Sequence, residues 1–226
     1  MVLQAGKSDP LSEQALNDVC RIYWYPLYAY IRRLGHTQET AEDYTQAFFE
    51  MLIEKELLKN VDPAKGRFRN FLLVCLKRLM ADEEDKLRAK KRGGDVLIFS
   101  MDSADANERY KMEPSHNETP DRLFDRVWAR SLMHQVVARL RSEWNGLSTN
   151  RNFDVVQGFL PGGYGEPSIH EAAAALGISE GAMRAQLHRL RVRYREVMIE
   201  EISRTVHHEI EVEAEMRDLF AALSAA

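Results

Sequence analysis

The chain has few of the residues that interrupt helices or cross-link folds. Of its 226 residues, 12 are glycine, 7 are proline and 2 are cysteine. Between the glycines and prolines, apolar residues recur at helical rather than alternating spacing, which predicts an all-α fold with no sheet. Cys20 and Cys75 lie far apart among apolar neighbours and match no metal-ligand spacing. We therefore expect reduced, structural thiols in a cytosolic protein.

Long apolar runs and a large excess of one charge are also missing. No stretch approaches the roughly 20 apolar residues that a membrane-spanning helix requires, and the first residues lack the pattern of a secretion signal. We expect a cytoplasmic protein with no membrane partner. The formal net charge of -4 argues against a protein that coats nucleic acid indiscriminately, because such binding depends on neutralising many phosphates.

Motifs of common enzyme sites are absent from the sequence. The glycine-rich stretch at 161–165 lacks the preceding strand and the following lysine of a phosphate-binding loop. No nucleophilic triad is evident, since His207 and His208 lie in a charged tail and Cys75 lies on an apolar helix face. The acidic run at 82–85 is a poor metal site, because consecutive helical carboxylates do not converge on one ion. We expect neither catalysis nor a cofactor nor a bound metal.

Residues 167–197 have the pattern of a helix-turn-helix. Ser168 and Glu171 form a capping box at the start of the first helix. Gly177 supplies the positive φ of the turn, and Ser179 can cap the second helix. The second helix has an apolar stripe that should be buried, formed by Met183, Leu187, Leu190, Tyr194 and Val197. Its other faces are basic and suit phosphates and base edges of duplex DNA, with Arg184, His188, Arg191 and Arg195 in one row and Arg189 and Arg193 in another.

The rest of the chain also follows a helical pattern. Three helices are predicted within residues 11–92, with Ser12 capping the first, Thr37 capping the second and the third starting near Phe68. Residues 93–119 are acidic and rich in loop-favouring types, so they are predicted to form a linker that does not pack in a core.

A further helix is predicted after the linker. Thr119 and Pro120 start it as cap and first residue, and it runs to about Trp144. The tail at 199–226 is predicted to form one or two more helices. Three roles for this tail stay open, namely packing on the third helix, binding a regulator and pairing two chains.

In this order of elements, the chain resembles the bacterial RNA polymerase sigma factors of the extracytoplasmic-function (ECF) type. Three stretches carry the resemblance, at 41–49, 66–72 and 179–191. The resemblance implies an all-α chain of two small helical domains joined by an acidic linker. Its parts would be a region-two domain at 1–92, the linker at 93–119, a region-four domain with the helix-turn-helix at 120–198 and a C-terminal extension at 199–226.

The same resemblance implies a non-enzymatic transcription initiation factor. It would bind the clamp and flap regions of core RNA polymerase, recognise minus-ten and minus-thirty-five promoter elements and promote melting of promoter DNA. An anti-sigma factor or another regulator is a further partner that the resemblance allows. The implied minus-thirty-five contacts are Arg184, Ala185, His188, Arg189 and Arg191. The implied minus-ten contacts are Asn60, Lys65, Arg67, Phe68, Lys77 and Arg78.

The implied polymerase-binding residues are Asp43, Gln46, Phe49 and Glu50. Their spacing on one helix agrees with this role, because polar side chains would surround one aromatic anchor, as in many interfaces. The alternative is a solvated helix face with Phe49 in the core.

The loop at 59–67, together with Phe68, Arg69 and Phe71 after it, combines cations with aromatic residues, which suits capture of an unstacked base. The alternative is that Phe68, Phe71 and Leu72 are ordinary core residues. The acidic run at 82–85 departs from the family pattern, in which basic residues follow. It either points away from DNA or marks a different minus-ten contact. A free-standing helix-turn-helix regulator, which needs no polymerase, remains the alternative function.

Overall fold

The computed structural model describes residues 10–54, 66–89, 103–113, 118–145, 152–161, 168–204 and 209–224. Within these ranges the regular structure is entirely helical, which confirms the predicted all-α fold. None of the described helices combines the length and apolar character needed to cross a bilayer. The helices are α1 (Pro10–Arg33), α2 (Gln38–Glu54), α3 (Phe68–Ala89), α4 (Ser103–Lys111), α5 (Pro120–Asn145), α6 (Phe153–Gln157), α7 (Ile169–Leu176), α8 (Glu180–Ser203) and α9 (Glu209–Ser224).

Local capping fixes most of the helix starts. The Thr37 hydroxyl accepts a hydrogen bond from the Thr40 backbone N–H at 3.3 Å, and Thr119 accepts one from Arg122 at the same distance. These bonds confirm the predicted starts of α2 and α5. The prediction that Ser12 caps α1 is wrong, because the helix begins at Pro10. A proline fits the first turn, where its missing N–H has no partner to lose.

The core is organised around α5, which packs against α1, α6, α8 and α9. Tyr30 of α1 meets Phe124 of α5 edge to face at 6.4 Å, and Trp128 of α5 is fully buried. Each such side chain contributes about 1.5–3 kcal/mol through burial. One continuous cluster of buried residues joins helices from the two predicted domains, which therefore pack together in this conformation. The exact domain boundaries stay a prediction.

The predicted linker contains α4, so the expectation that residues 93–119 do not pack in a core is wrong for this helix. Ala106 is buried, and Tyr110 meets Tyr28 of α1 edge to face at 6.5 Å. Ala106 and Tyr110 are four positions apart and lie on one face of α4. Arg32 of α1 covers that face, with its guanidinium 4.9 Å from the Tyr110 ring. Residues 93–102 and 114–117 lie outside the described part of the chain.

A buried arginine holds the segment between α4 and α5. The guanidinium of Arg126 in α5 binds Glu113 at 2.7 Å and Glu118 at 2.7 Å, one carboxylate on each side of residues 114–117. The hydrogen bonds that Arg126 donates to Glu118 and Glu113 raise its pKa above the usual value, against the opposing effect of burial. The link between the two halves of the chain is therefore anchored by charge.

The C-terminal tail returns to the body of the protein. α9 packs against α5 and α8, and its buried side chains Val212 and Leu219 lie on one helical face. Of the three roles left open for the tail, packing on the third helix is supported by the ion pairs of Glu215 and Asp218 with Arg69 at the start of α3, and the other two stay open. Both cysteines are buried and unpaired, in agreement with structural thiols.

Candidate DNA-binding surfaces

The turn between α7 and α8 has the predicted local geometry. The backbone N–H of Glu171 donates to the Ser168 hydroxyl at 3.1 Å, while the backbone N–H of Ser168 donates to the Glu171 carboxylate at 3.3 Å, forming a capping box. Gly177 has a φ of 65°. The N–H of Ile178 then donates to the carbonyl of Ala173 at 3.0 Å, which closes a Schellman-type helix end. The predicted helix-turn-helix is confirmed in this segment.

The second helix of the motif is held at its start and near its middle. Ser179 caps α8 by accepting a hydrogen bond from the Ala182 N–H at 3.2 Å. Tyr194 donates its hydroxyl hydrogen to the carbonyl of Pro161 at 3.3 Å, and burial raises the pKa of this tyrosine to about 12. The predicted apolar stripe is buried throughout, comprising Met183, Leu187, Leu190, Tyr194 and Val197. α8 is therefore a well-anchored helix, which can present its other faces in a fixed orientation.

The predicted minus-thirty-five residues are all exposed on α8: Arg184, Ala185, His188, Arg189 and Arg191. Arg184 forms an ion pair with Glu180 at 3.0 Å, and its side chain is still 61% exposed. In the described part of the chain, no carboxylate pairs with His188, Arg189 or Arg191. This surface, the basic face of α8, therefore has cations available to a phosphate or a base. Its contact with DNA stays a prediction.

Arg193 differs from its neighbours on α8. Its guanidinium binds Glu143 of α5 at 2.9 Å, and also Glu196 and Glu200 of its own helix at 3.0 Å. Hydrogen bonds from Arg193 hold the pKa of Glu143 below its usual value of 4.5. The expectation that Arg193 contacts phosphate is wrong for this conformation, because its donors are used inside the protein to join α8 to α5.

The aromatic part of the predicted minus-ten site is not at the surface. Phe68 is 3% exposed and meets Tyr23 of α1 edge to face at 5.6 Å. The ring is therefore not open to a base in this conformation, because the first turn of α3 packs against α1, and capture of a base by Phe68 stays a prediction. Leu72 is buried and Phe71 half-buried, as the alternative interpretation expected. Asn60 and Lys65 lie outside the described residues.

The cations of the predicted minus-ten site lie on α3 or just before it. Arg67 forms ion pairs with Asp218 and Glu215 of α9. Lys77 pairs with Asp121 of α5 at 3.1 Å and lies 5.5 Å from the Tyr30 ring. Arg78 is exposed. Most of the described cations here therefore have carboxylate partners within the chain.

The acidic run at the end of α3 is only partly described. Asp82 is exposed and Glu83 half-buried, while the side chains of residues 84 and 85 lie outside the described set. Whether this run points away from DNA or marks a different minus-ten contact stays open.

The predicted polymerase-binding residues of α2 separate into two groups. Asp43 is exposed, and the half-buried Gln46 donates a hydrogen bond to Glu50 at 3.1 Å, so these three form a polar face. Phe49 is 1% exposed and packs edge to face on Phe48 at 5.6 Å. The expectation that Phe49 is an exposed anchor is wrong, and the alternative, a core residue, is confirmed.

Two features were missed by reasoning from the sequence. α6 was not predicted, although Asn152 caps it by accepting a hydrogen bond from the Asp154 N–H at 3.0 Å. Arg69 was not selected as a site residue, yet it binds Asp125 at 3.4 Å and Asp218 at 2.7 Å. The cap of α6 is a local signal that the sequence contains. No local signal identifies Arg69, whose partners come from distant helices.

Comparison with known proteins adds the family. Comparisons with curated proteins and with solved structures found no match. A family model described as ECF sigma factor matches residues 13–200. This range includes α2, α3 and the helix-turn-helix, and thus all three stretches on which the resemblance was based. Because the match covers well over half of the chain, the protein belongs to the ECF sigma factor family, whose members act with RNA polymerase in transcription initiation.

Proposed function

We propose that this sigma factor is a promoter-specificity subunit whose α8 reads a minus-thirty-five element in the major groove. The observation that carries the proposal is the exposed basic face of α8 on a helix-turn-helix whose turn and caps are fully formed. A second helix of such a motif enters the major groove with its N-terminal residues toward the bases. Arg184, Ala185 and His188 lie in that N-terminal half.

The residues of this face differ in what they can contact. A guanidinium can bind the O6 and N7 edge of guanine with about 1–3 kcal/mol of discrimination. The exposed ion pair of Arg184 with Glu180 is worth at most about 1 kcal/mol, so exchange for a guanine edge is favourable. Ala185 is small enough to admit a thymine methyl group between Arg184 and Arg189. Arg191, about one helical turn after His188, is assigned to a phosphate.

The polar face of α2, formed by Asp43, Gln46 and Glu50, is the proposed contact with the clamp of core polymerase. Its support is the exposed or half-exposed position of these side chains on a helix whose other side is held by the core. Phe49 then acts by fixing α2 in place. Capture of a flipped base by Phe68 is not part of the proposal, since that ring is in the core. Arg78 on α3 and a released Arg67 just before it are the proposed minus-ten phosphate contacts.

Run-off transcription with purified core polymerase on a pool of genomic fragments tests the function. We expect the chain to associate with core polymerase and to enrich fragments that share a two-part motif upstream of a common start site. The free-standing regulator predicts a different result. It would bind an operator tightly without polymerase, as a dimer on half-sites one helical turn apart, and would not select start sites.

Specific reading by α8 is tested on the enriched minus-thirty-five sequence. Arg184→Ala should weaken binding to that element by about 5- to 150-fold, which corresponds to about 1–3 kcal/mol, and should weaken binding to random duplex much less. Arg21→Ala removes the same charge from an exposed position on α1 and is the matched control. Equal losses for Arg184→Ala on both DNAs would reduce Arg184 to a phosphate contact.

A further inference from the structure

Acidic side chains of two other helices lie against the cations at and near the start of α3. We call Arg67, Arg69 and Lys77 the basic edge. Asp121 and Asp125 of α5 with Glu215 and Asp218 of α9 form the acidic cover. Lys77 pairs with Asp121 at 3.1 Å. Arg69 pairs with Asp125 at 3.4 Å, with Glu215 at 3.2 Å and with Asp218 at 2.7 Å. Arg67 pairs with Glu215 at 3.9 Å and with Asp218. Every member of the basic edge thus has at least one carboxylate partner.

The two helices contribute unequally to this cover. Both carboxylates that pair with Arg67 come from α9, as do two of the three that pair with Arg69. Among the described residues, the carboxylate that pairs with Lys77 belongs to α5. Movement of α9 would therefore remove both described partners of Arg67 and leave the described partner of Lys77 in place. Arg67 is the residue whose state reports on α9.

The buried part of this contact is poorly hydrogen-bonded. The side chains of Arg69 and Glu215 are 4% and 3% exposed, so both charges are removed from water. Within the described residues, Nε and Nη1 of Arg69 and Oε2 of Glu215 have no hydrogen bond of acceptable geometry. Burial also raises the pKa of Glu215 and of Asp125, in spite of the nearby Arg69 and Arg67. A buried ion pair with unmade hydrogen bonds contributes little net stability, because the cost of removing both charges from water is not fully offset.

Phosphate groups are alternative partners for the guanidinium groups of Arg67 and Arg69. A phosphodiester offers oxygens to a guanidinium in the same bidentate way as a carboxylate does. A phosphate could therefore take the place of an α9 carboxylate on these guanidinium groups, and as long as the carboxylates are there their charge also repels the DNA backbone.

We propose that α9 is an intramolecular substitute for DNA, which neutralises Arg67 and Arg69 in the free chain and is displaced when promoter DNA binds with polymerase. The inference rests on the proposed function, because it takes the basic edge as part of the minus-ten surface. It assigns the C-terminal extension a role as an autoinhibitory cover. DNA binding by the free chain is then weaker than its own cations would allow.

Removing one carboxylate of the cover tests this directly. The probe is a fluorescent forked DNA of random sequence, with binding measured by anisotropy over a range of salt concentrations. Asp218→Asn should bind about threefold or more tightly than the wild-type chain, with a salt slope steeper by about 0.7 to 0.9, the value for one added phosphate contact. Glu213→Gln removes the same charge from an exposed position on α9 and should leave both quantities near wild type.

The double variant Asp218→Asn with Arg67→Ala identifies the cation involved. We expect it to lose the gain of Asp218→Asn, because the freed guanidinium is then absent. A gain that persists in the double variant, or equal binding by Asp218→Asn and Glu213→Gln, would overturn the proposal.

A second measurement uses the unaltered chain, so folding of a variant does not enter. Amide hydrogen exchange in residues 209–224 should become faster when core polymerase and a selected promoter fragment are added. Unchanged protection of α9 in that complex would also overturn the proposal. The two levels remain separable. If the wild-type chain selects start sites but Asp218→Asn behaves like Glu213→Gln, only the cover is refuted, whereas failure to select start sites with polymerase refutes the proposed function.

Discussion

Replacing Arg126 by methionine should be among the most destabilising single changes in the chain. The guanidinium is almost fully buried in α5, with a side-chain exposure of 2%, and it binds Glu113 and Glu118. Methionine would fill much of the same volume and leave two carboxylates facing an apolar side chain. Breaking a buried pair in this way costs about 3–5 kcal/mol. Because Glu118 is 21% exposed and can regain water, we expect Arg126→Met to lower the free energy of unfolding by about 3 kcal/mol.

The assay is urea unfolding at neutral pH, followed by the helical circular dichroism signal. Arg130→Met is the matched control, since Arg130 binds the same Glu113 carboxylate at 3.1 Å but has a side-chain exposure of 44%. A pair this exposed contributes at most about 1 kcal/mol. The two variants remove the same charge and create the same residue type, so the difference between them measures burial.

A coupling experiment completes this prediction. Adding Glu113→Gln to Arg126→Met should restore part of the lost stability, because a neutral amide needs no counter-ion. The reasoning would be refuted if Arg126→Met cost no more than Arg130→Met, or if the Glu113→Gln change added its full independent cost.

Three further results follow from the structure. Gly177→Ala should lower the free energy of unfolding in urea by about 1–2 kcal/mol, because Gly177 has a φ of 65°. Gly181→Ala, at an open helical position, should raise it by up to about 1 kcal/mol. Similar effects of both changes would contradict the turn geometry. Hydrogen bonds from Arg193 depress the pKa of Glu143, so their contribution is present above the usual value of 4.5 and is lost as pH falls through the lower folded value. The stability difference between wild type and Glu143→Gln should accordingly shrink between about pH 5 and pH 3, and a constant difference would speak against this ion pair. Burial raises the pKa of Cys20 to about 12, so a thiol reagent at pH 8 should label it only as fast as the protein unfolds, and rapid labelling of the native chain would contradict this.

Features set by neighbouring residues were predictable from the sequence. The capping box of Ser168 and Glu171, the turn at Gly177 and the cap at Ser179 each depend on residues at most five positions apart. The same holds for the buried stripe of α8, because helical spacing alone places those side chains on one face. The helix-turn-helix could therefore be predicted from its own residues, and the all-α fold from the helical spacing within each segment, without knowledge of the tertiary contacts.

Burial of aromatic residues on the other helices could not be decided in this way. Phe49 and Phe68 were predicted to face a partner or a base, and both are in the core. Each lies at the edge of an apolar helix face, where spacing does not tell whether another helix will cover it. For Phe68 the covering residue is Tyr23, from α1.

Pairing of charges depended on the tertiary structure even more strongly. Arg193 meets Glu143 across 50 positions of sequence, and Arg69 meets Asp218 across 149. The sequence by itself determined where α2, α5, α7 and α8 begin, how the turn is built and which residues of α8 are basic. Only the packing of α5 and α9 decided which cations are neutralised and which stay exposed. An ion pair forms wherever folding brings opposite charges together, and the local spacing of residues does not predict which distant charges will meet.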